Sequence, residues 1–183
     1  MGNILLGVTG SIAAYKAAEL ANILTKSGHS VKAVMTRAAA EFISPLTLQT
    51  LTKHKVYTDM FEPAAYEDVR HISLAKEADL LLIAPATANI IGKIASGIAD
   101  DMLSTIAMAS PAPNVMICPA MNTAMYENPV VQAGIKKLEG LGYLFVEPKE
   151  SLLACGDLGK GALADLDAIV KAAERALARS GTA

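Results

Sequence analysis

The sequence predicts a doubly wound α/β fold, in which a parallel sheet carries helices on both faces. Short aliphatic runs at residues 3–8, 30–35, 79–84, 114–118 and 143–147 alternate with longer helical patterns. Most of these runs are apolar throughout, with no strict in-and-out alternation. That pattern suits strands covered on both sides and argues against a half-wet antiparallel sheet. Ligand sites in such folds lie at the carboxyl ends of the strands, so polar residues that follow the runs are the ones to examine.

Taken in order, "NILLGV" at 3–8 is the first strand, and a helix over 11–27 follows it with Ile12, Tyr15, Ile23 and Leu24 near one stripe and a stop at Gly28. "SVKAVM" at 30–35 is the second strand. A helix over 44–53 starts with Ser44 ahead of Pro45, a cap followed by a residue suited to the first helical position. His71 precedes an amphipathic turn and the third strand, "DLLLIA" at 79–84. Helices fit 88–98 and 101–109, "NVMIC" at 114–118 is the fourth strand, and a helix fits 129–140. "YLFVE" at 143–147 is the last strand, and a helix over 166–179 closes the chain.

Composition narrows the function. The 183 residues are 52% hydrophobic and 4% aromatic, with a mean hydropathy of +0.37, which is expected of one compact soluble domain spanning 1–183. Sixteen basic against eighteen acidic side chains, without runs of one sign, leave no electrostatic footprint for nucleic acid or an anionic membrane. Apolar runs are far too short to span a bilayer, and no charged region precedes the first of them, so a cytoplasmic location is expected. Two cysteines without secretory context read as free thiols, with Cys118 inside a strand and Cys155 left to explain.

Several strand ends carry chemistry. In "GVTGSIAAYK", Gly7 and Gly10 bracket a turn and Ser11 stands at a helix start, an arrangement that suits an anion, with Thr9 and Ser11 as hydroxyl donors. The dinucleotide fingerprint also needs a third glycine and an acidic residue after the second strand, where this chain has Thr36 and Arg37. A monophosphate ligand fits better, although a Ser-capped glycine turn with no ligand has the same letters. Thr87 and Asn89 open another helix after the third strand, where Thr87 also reads as a plain N-cap. Met121 and Met125, four apart, read as core or as binding surface, and Asn122 between them needs a hydrogen-bond partner from protein or ligand. His71 reads as structural or catalytic. In "LLACGDLGKGAL", Gly156, Gly159 and Gly161 are spaced as in a mobile loop that carries Cys155.

Together "GVTGSIAAYK", "RHISLAKEADLLLIAPATANIIGKIASGIADDMLST", "PAMNTAMYENP" and "ACGDLGKGAL" resemble the flavin-dependent cysteine decarboxylases, from residue 3 to about residue 178. The resemblance implies a flavodoxin-like, Rossmann-like three-layer sandwich that assembles as a homotrimer and binds FMN at a subunit boundary, with no metal. It implies that the cofactor phosphate and ribityl chain lie on Gly10, Ser11, Ile12 and Thr36, and the ring near Thr87, Ala88, Asn89, Ile90 and Ala120. His71 falls on the family's catalytic histidine, Asn122 on its ligand for the substrate carboxylate, and Cys155 on its reactive cysteine, with Met121, Leu153 and Ala154 beside the substrate. Tyr126 stands where some members have Trp. A synthetase domain fused downstream in many bacterial members is absent here, which leaves open a monofunctional enzyme or a fragment.

The activity implied is decarboxylation of a cysteine carboxylate by oxidation to a thioaldehyde, loss of CO2 and re-reduction of the enethiol. The expected small-molecule substrate is phosphopantothenoylcysteine, converted to phosphopantetheine in coenzyme A biosynthesis. The alternatives are the carboxy-terminal cysteine of a peptide, or a non-catalytic flavoprotein that regulates another protein. Arg37 and Lys160 are the candidate contacts for a substrate phosphate.

Overall fold

A computed structural model describes residues 1–61, 69–152 and 158–180. Its main sheet is six-stranded and parallel in the order β3-β2-β1-β4-β5-β6, built from β1 (Asn3–Val8), β2 (Ser30–Met35), β3 (Val56–Tyr57), β4 (Leu80–Ala86), β5 (Val115–Pro119) and β6 (Leu144–Phe145). Without the two-residue edge strand β3, the remaining five follow the flavodoxin order. The helices are α1 (Ala14–Lys26), α2 (Arg37–Ala40), α3 (Pro45–Thr52), α4 (Arg70–Glu77), α5 (Ala88–Ser96), α6 (Met102–Ala109), α7 (Thr123–Tyr126), α8 (Pro129–Gly140) and α9 (Leu166–Ser180). A separate antiparallel hairpin pairs β7 (Lys149–Leu152) with β8 (Leu158–Ala162).

Strand side chains alternate between two apolar layers. Ile4, Leu6, Val8, Leu80, Leu82 and Cys118 face the layer formed with α1, α3 and α9. Leu5, Leu81, Ile83, Val115 and Ile117 face the layer formed with α4, α5, α6 and α8. Burial on both faces is why the runs lack polar alternation. Leu6, Leu82 and Leu20 are fully buried, and truncating such a leucine to alanine costs about 2–5 kcal/mol. Gly7 faces the second layer, where a Cβ would stand 2.6 Å from Leu103 Cδ1; α6 packs closely there because the side chain is missing.

The helix starts differ from the expected ones for identifiable reasons. The first helix begins at Ala14, not at residue 11, because Ser11 to Ala13 form a turn closed by Ala14 N–H donating to Ser11 O at 2.8 Å. The segment around His71, expected as a turn, is helix α4, with only Leu74 and Ala75 buried. Ser44 and Thr87 are N-caps, as their places in the sequence suggested.

At α6, Asp101 and Ser104 cap one another. The Asp101 carboxylate accepts from Ser104 N–H at 2.8 Å, and Ser104 Oγ accepts from Asp101 N–H at 3.1 Å. Lys93 of α5 reaches Asp100 at 2.6 Å and Asp101 at 2.8 Å, tying the two helices together. Burial pushes the Asp101 carboxyl up, yet the hydrogen bonds from Lys93 and Ser104 and the Lys93 charge outweigh it and hold the group below its ordinary range. Burial likewise lowers Lys93, and its two carboxylate partners more than reverse that.

Asp101→Ala is expected to lower the unfolding free energy by about 1–2 kcal/mol at pH 7. A carboxyl depressed in the folded state stabilises above the unfolded value of about 4 and loses that contribution as pH falls through the folded value. Urea titrations of both proteins should therefore converge in acid. A gap that stays constant below about pH 4 would assign the loss to something other than the ionised cap.

Candidate functional site

The sheet reverses its order between β1 and β4, and the ends of these two strands are stitched by one buried hydroxyl. Thr9, 1% exposed, donates from Oγ1 to Pro85 O at 2.7 Å and accepts from Thr87 N–H at 3.0 Å. Thr9 was expected to offer its hydroxyl to a ligand. Instead the group is consumed within the protein and positions the turn that leads into α5. The next strand end is tied in turn, since Ala120 N–H donates to Ala86 O at 2.9 Å.

Above this floor opens a cleft of about 550 Å³, the size of ordinary small-molecule and cofactor sites. Gly10, Ser11, Ile12, Ala13, Tyr15 and Lys16 line one side, Thr87 and Ala120 the floor, and Met121, Asn122 and Met125 the other side. The hairpin supplies Lys149, Ser151, Leu152 and Gly161 to Leu163. Thus Gly10, Ser11, Ile12, Thr87, Ala120, Met121 and Asn122, all singled out in the sequence, come together in one cavity. Met125 is 48% exposed, so it belongs to this surface and not to the core. Lys16 and Lys149 also line the cleft, and no sequence signal marked them. Tyr15 and Ile12, expected on the apolar stripe of the first helix, are instead each 60% exposed at the cleft, because the buried side of α1 is formed by Ala14, Ala17, Leu20, Ala21 and Leu24.

Local packing explains the shape. A Cβ on Gly10 would stand 2.5 Å from the Ala38 Cβ, so glycine lets the turn lie against α2. The Asn122 side chain accepts from Ala124 N–H at 2.8 Å as the N-cap of α7, which gives its amide a partner from the protein. Gly159 and Gly161 do not serve a flexible loop: they lie in β8, and Met121 N–H donates to Gly161 O at 2.9 Å. A Cβ on Gly161 would stand 2.3 Å from Met121 O, and one on Gly159 2.5 Å from Thr123 Oγ1. Their function is close approach of the hairpin to the β5–α7 connection.

Other expected residues stand apart from the cleft. Thr36 uses its hydroxyl as the N-cap of α2, accepting from Ala39 N–H at 3.2 Å. Asn89 is exposed and Ile90 is buried in the core, both in the first turn of α5 with Ala88. His71 is half-buried near the start of α4, whose apolar side packs into the layer across the sheet from α1 and α9. Within one chain the fold does not bring His71 to the cleft. Leu153, Ala154, Cys155 and Gly156 lie outside the described residues. Cys118 is fully buried, and burial pushes its thiol far up, so it stays protonated and out of reach. Lys160 is tied to Glu147 at 2.5 Å and lies over the Tyr126 ring, while Arg37 is exposed on α2.

Thr9→Val keeps the shape and removes the hydroxyl, leaving Pro85 O and Thr87 N–H unpaired in a buried place. Its expected cost is about 1–3 kcal/mol by urea unfolding, with faster hydrogen exchange at the Thr87 amide, whereas Thr9→Ser should retain that protection. Protection kept in Thr9→Val and lost in Thr9→Ser would show that packing of the methyl, not the hydroxyl, holds the turn.

Comparison with known proteins agrees with this geometry. The flavoprotein family matches residues 2–178. A probable phosphopantothenoylcysteine decarboxylase of Streptococcus mutans is 51% identical over 176 residues, covering 95% of this chain and 98% of its own. The coenzyme A biosynthesis bifunctional protein CoaBC of Bacillus subtilis is 50% identical over 181 residues, but this chain spans only 44% of that protein's length. A PPC decarboxylase Cys-to-Ser mutant complexed with pantothenoylaminoethenethiol superimposes with a TM-score of 0.87 at 34% identity, covering 95% of this chain and 97% of that one. The FMN-dependent cysteine decarboxylase SpaF gives a TM-score of 0.86 at 33% identity, with 99% and 98% covered. The chain belongs to the flavoprotein family, among its FMN-dependent cysteine decarboxylases.

Proposed function

We propose that this chain binds FMN and decarboxylates 4'-phosphopantothenoylcysteine to 4'-phosphopantetheine, a step of coenzyme A biosynthesis. The observation that carries the reading is the single cleft at the β1/β4 reversal, which unites the Ser11 turn with the Asn122 amide. The residues present fit the cofactor. Ser11 and the turn around it offer polar groups at one end, Ile12, Ala120 and Met121 offer apolar wall, and Thr87 stands between them. Identity of 51% to a phosphopantothenoylcysteine decarboxylase supports this substrate over a peptidyl cysteine.

A cysteine carboxylate resists loss of CO2 because the carbanion left behind has nowhere to spread its charge; bound FMN supplies an oxidation that turns the thiol carbon into an electron sink and later returns the electrons. The protein's part is to orient and to move protons. The Asn122 amide has an N–H2 group to hold the substrate carboxylate against the cleft wall while its oxygen caps α7. His71 is the base or electrostatic partner in the oxidation half. Cys155 is the acid of the final reduction, since a thiol with an ordinary pKa of about 8.5 is protonated at neutral pH. That a relative with Cys replaced by Ser is complexed with pantothenoylaminoethenethiol, a compound oxidised at the thiol end, supports this order of events.

His71 does not line the cleft of its own chain, so a complete site calls for a second copy. Tyr15 and Ile12 at the cleft rim are each 60% exposed, and Val69 beside His71 is 59% exposed; apolar side chains left open at both places are suited to burial between copies. A homotrimer with the flavin at each boundary is the assembly proposed. Both apolar layers share one sheet, which supports a single domain, and the balanced charge and the lack of a bilayer-length apolar helix among the described residues support a cytoplasmic enzyme without nucleic-acid or membrane partners.

The direct test is to incubate the yellow holoprotein with phosphopantothenoylcysteine and follow CO2 and product mass. Wild type is expected to give phosphopantetheine. Cys155→Ser is expected to release CO2 yet accumulate a product lighter by two hydrogens, with the flavin left reduced. Normal product from Cys155→Ser would remove Cys155 from the acid role, and a colourless protein that takes up no FMN would end the whole reading. Mixing His71→Asn subunits with Asn122→Asp subunits should restore activity if the two residues meet across a boundary. No recovery from proven hetero-oligomers would place both in one chain's site.

A further inference from the structure

Two ammonium groups line the cleft without a role in the reading above. Lys16 sits in the first turn of α1 and Lys149 opens β7, and this cavity brings the two elements together. Both act on the same carboxylate. Lys149 pairs directly with Asp165, and this hydrogen bond chiefly, then the Lys149 charge and more weakly the Lys16 charge, hold the Asp165 carboxyl below its ordinary range. Two cations sharing one exposed carboxylate leave a surplus positive charge at this end of the cleft. The cations marked in the sequence do not compete for the role, since neither Arg37 nor Lys160 lines the cleft.

We propose that Lys16 and Lys149 form the subsite for the phosphate of the substrate, separate from the Gly10–Ala13 turn suited to the cofactor phosphate; this rests on the decarboxylase reading. Lysine ammoniums are compact point charges that suit a dianionic phosphate monoester. The Lys149–Asp165 pair is exposed, and ion pairs in water are weak, so such a dianion can readily displace the carboxylate. The polarity of the hairpin matches the substrate. β7 runs from Lys149 to Leu152, roughly 10 Å at the usual rise of a strand, and Leu152 directly precedes in sequence the residues around Cys155. One end of the hairpin therefore carries a cation and the other leads toward the thiol, as a substrate with phosphate at one end and cysteine at the other requires.

The experiment uses the holoenzyme with phosphopantothenoylcysteine and with pantothenoylcysteine, which lacks the phosphate. In the Lys16→Met/Lys149→Met protein the ratio of kcat/KM for the two is expected to fall about tenfold, through KM of the phosphorylated compound. Lys16→Arg keeps the charge and should keep the preference. Independently of turnover, quenching of flavin fluorescence should show phosphopantetheine binding weakened by a similar factor and pantetheine binding unaltered. The exposed Lys149→Met alone carries the test should the double variant fold poorly. An unchanged preference, or equal losses for both compounds, would overturn the subsite. Weakened FMN binding with the preference intact would assign the lysines to the cofactor phosphate, which also overturns it. Wild-type turnover of neither compound would instead defeat the decarboxylase reading, and the subsite with it.

Discussion

β1 and β4 lie side by side where the winding of the sheet changes direction, so the helices that follow them depart on opposite faces and leave a gap above the strand ends. The Thr9 hydroxyl fixes the width of that gap. It is both donor to Pro85 O and acceptor from Thr87 N–H, a double commitment that links the end of β1 to the start of α5 across 78 residues of chain. The turn at Ser11, the Thr87 cap and the Ala86–Ala120 hydrogen bond are all built on this junction. Each contributes one wall of the cleft, so its geometry depends on backbone groups held in buried pairs and little on mobile side chains.

Small residues then set how near the walls come. Gly7 lets α6 approach the sheet, Gly10 lets the turn after β1 approach α2, and Gly161 lets β8 touch the backbone of Met121. None of these three uses a positive φ; that conformation is found instead at Gly28, Gly97 and Gly142, which end helices or turns. The distinction matters for the hairpin. Glycines that permit close approach anchor β8 to the active side of β5, so the hairpin is a fixed wall along Gly159 to Gly161 and holds the chain on either side of residues 153–157 at the cleft.

The four strands of five to seven residues, β1, β2, β4 and β5, and the longer helices were legible because burial on both faces leaves an unbroken apolar signal, whereas of the expected strand at 143–147 only Leu144–Phe145 pair, half-buried at the sheet edge. What was hidden is either short or conditional on distant contacts. β3 has two residues, and α2 and α7 have four each, too few for any period to emerge. "KESL" and "LGKGA" form β7 and β8 without apolar alternation, because this pair is held by Met121 and Thr123, far away in sequence. Of the cleft, residues adjacent to strand ends could be read directly, since topology alone brings strand ends together. Lys16 and Lys149 could not: a lysine on a surface helix or an edge hairpin looks the same whether it faces solvent or a cavity, and Tyr15 has the spacing of a core stripe that α1 fills with smaller residues. Thr9 was legible as a hydroxyl donor but its recipient was not, because the acceptor is the Pro85 carbonyl of β4, distant in sequence.

The two thiols show how the fold separates chemistry that composition cannot. Cys118 lies at the end of β5, next in sequence to the cleft-lining connection, yet it is fully buried in the α1 and α9 layer and burial holds it protonated. Proximity to the site along the chain therefore gives it no access to a ligand. Cys155 has the opposite situation in sequence, between strands that themselves line the cleft at Leu152 and Gly161. A buried strand thiol cannot exchange protons with a substrate without opening the core. The fold thus excludes Cys118 from reactive chemistry by burial, and what points to Cys155 is its place in the sequence and the family resemblance.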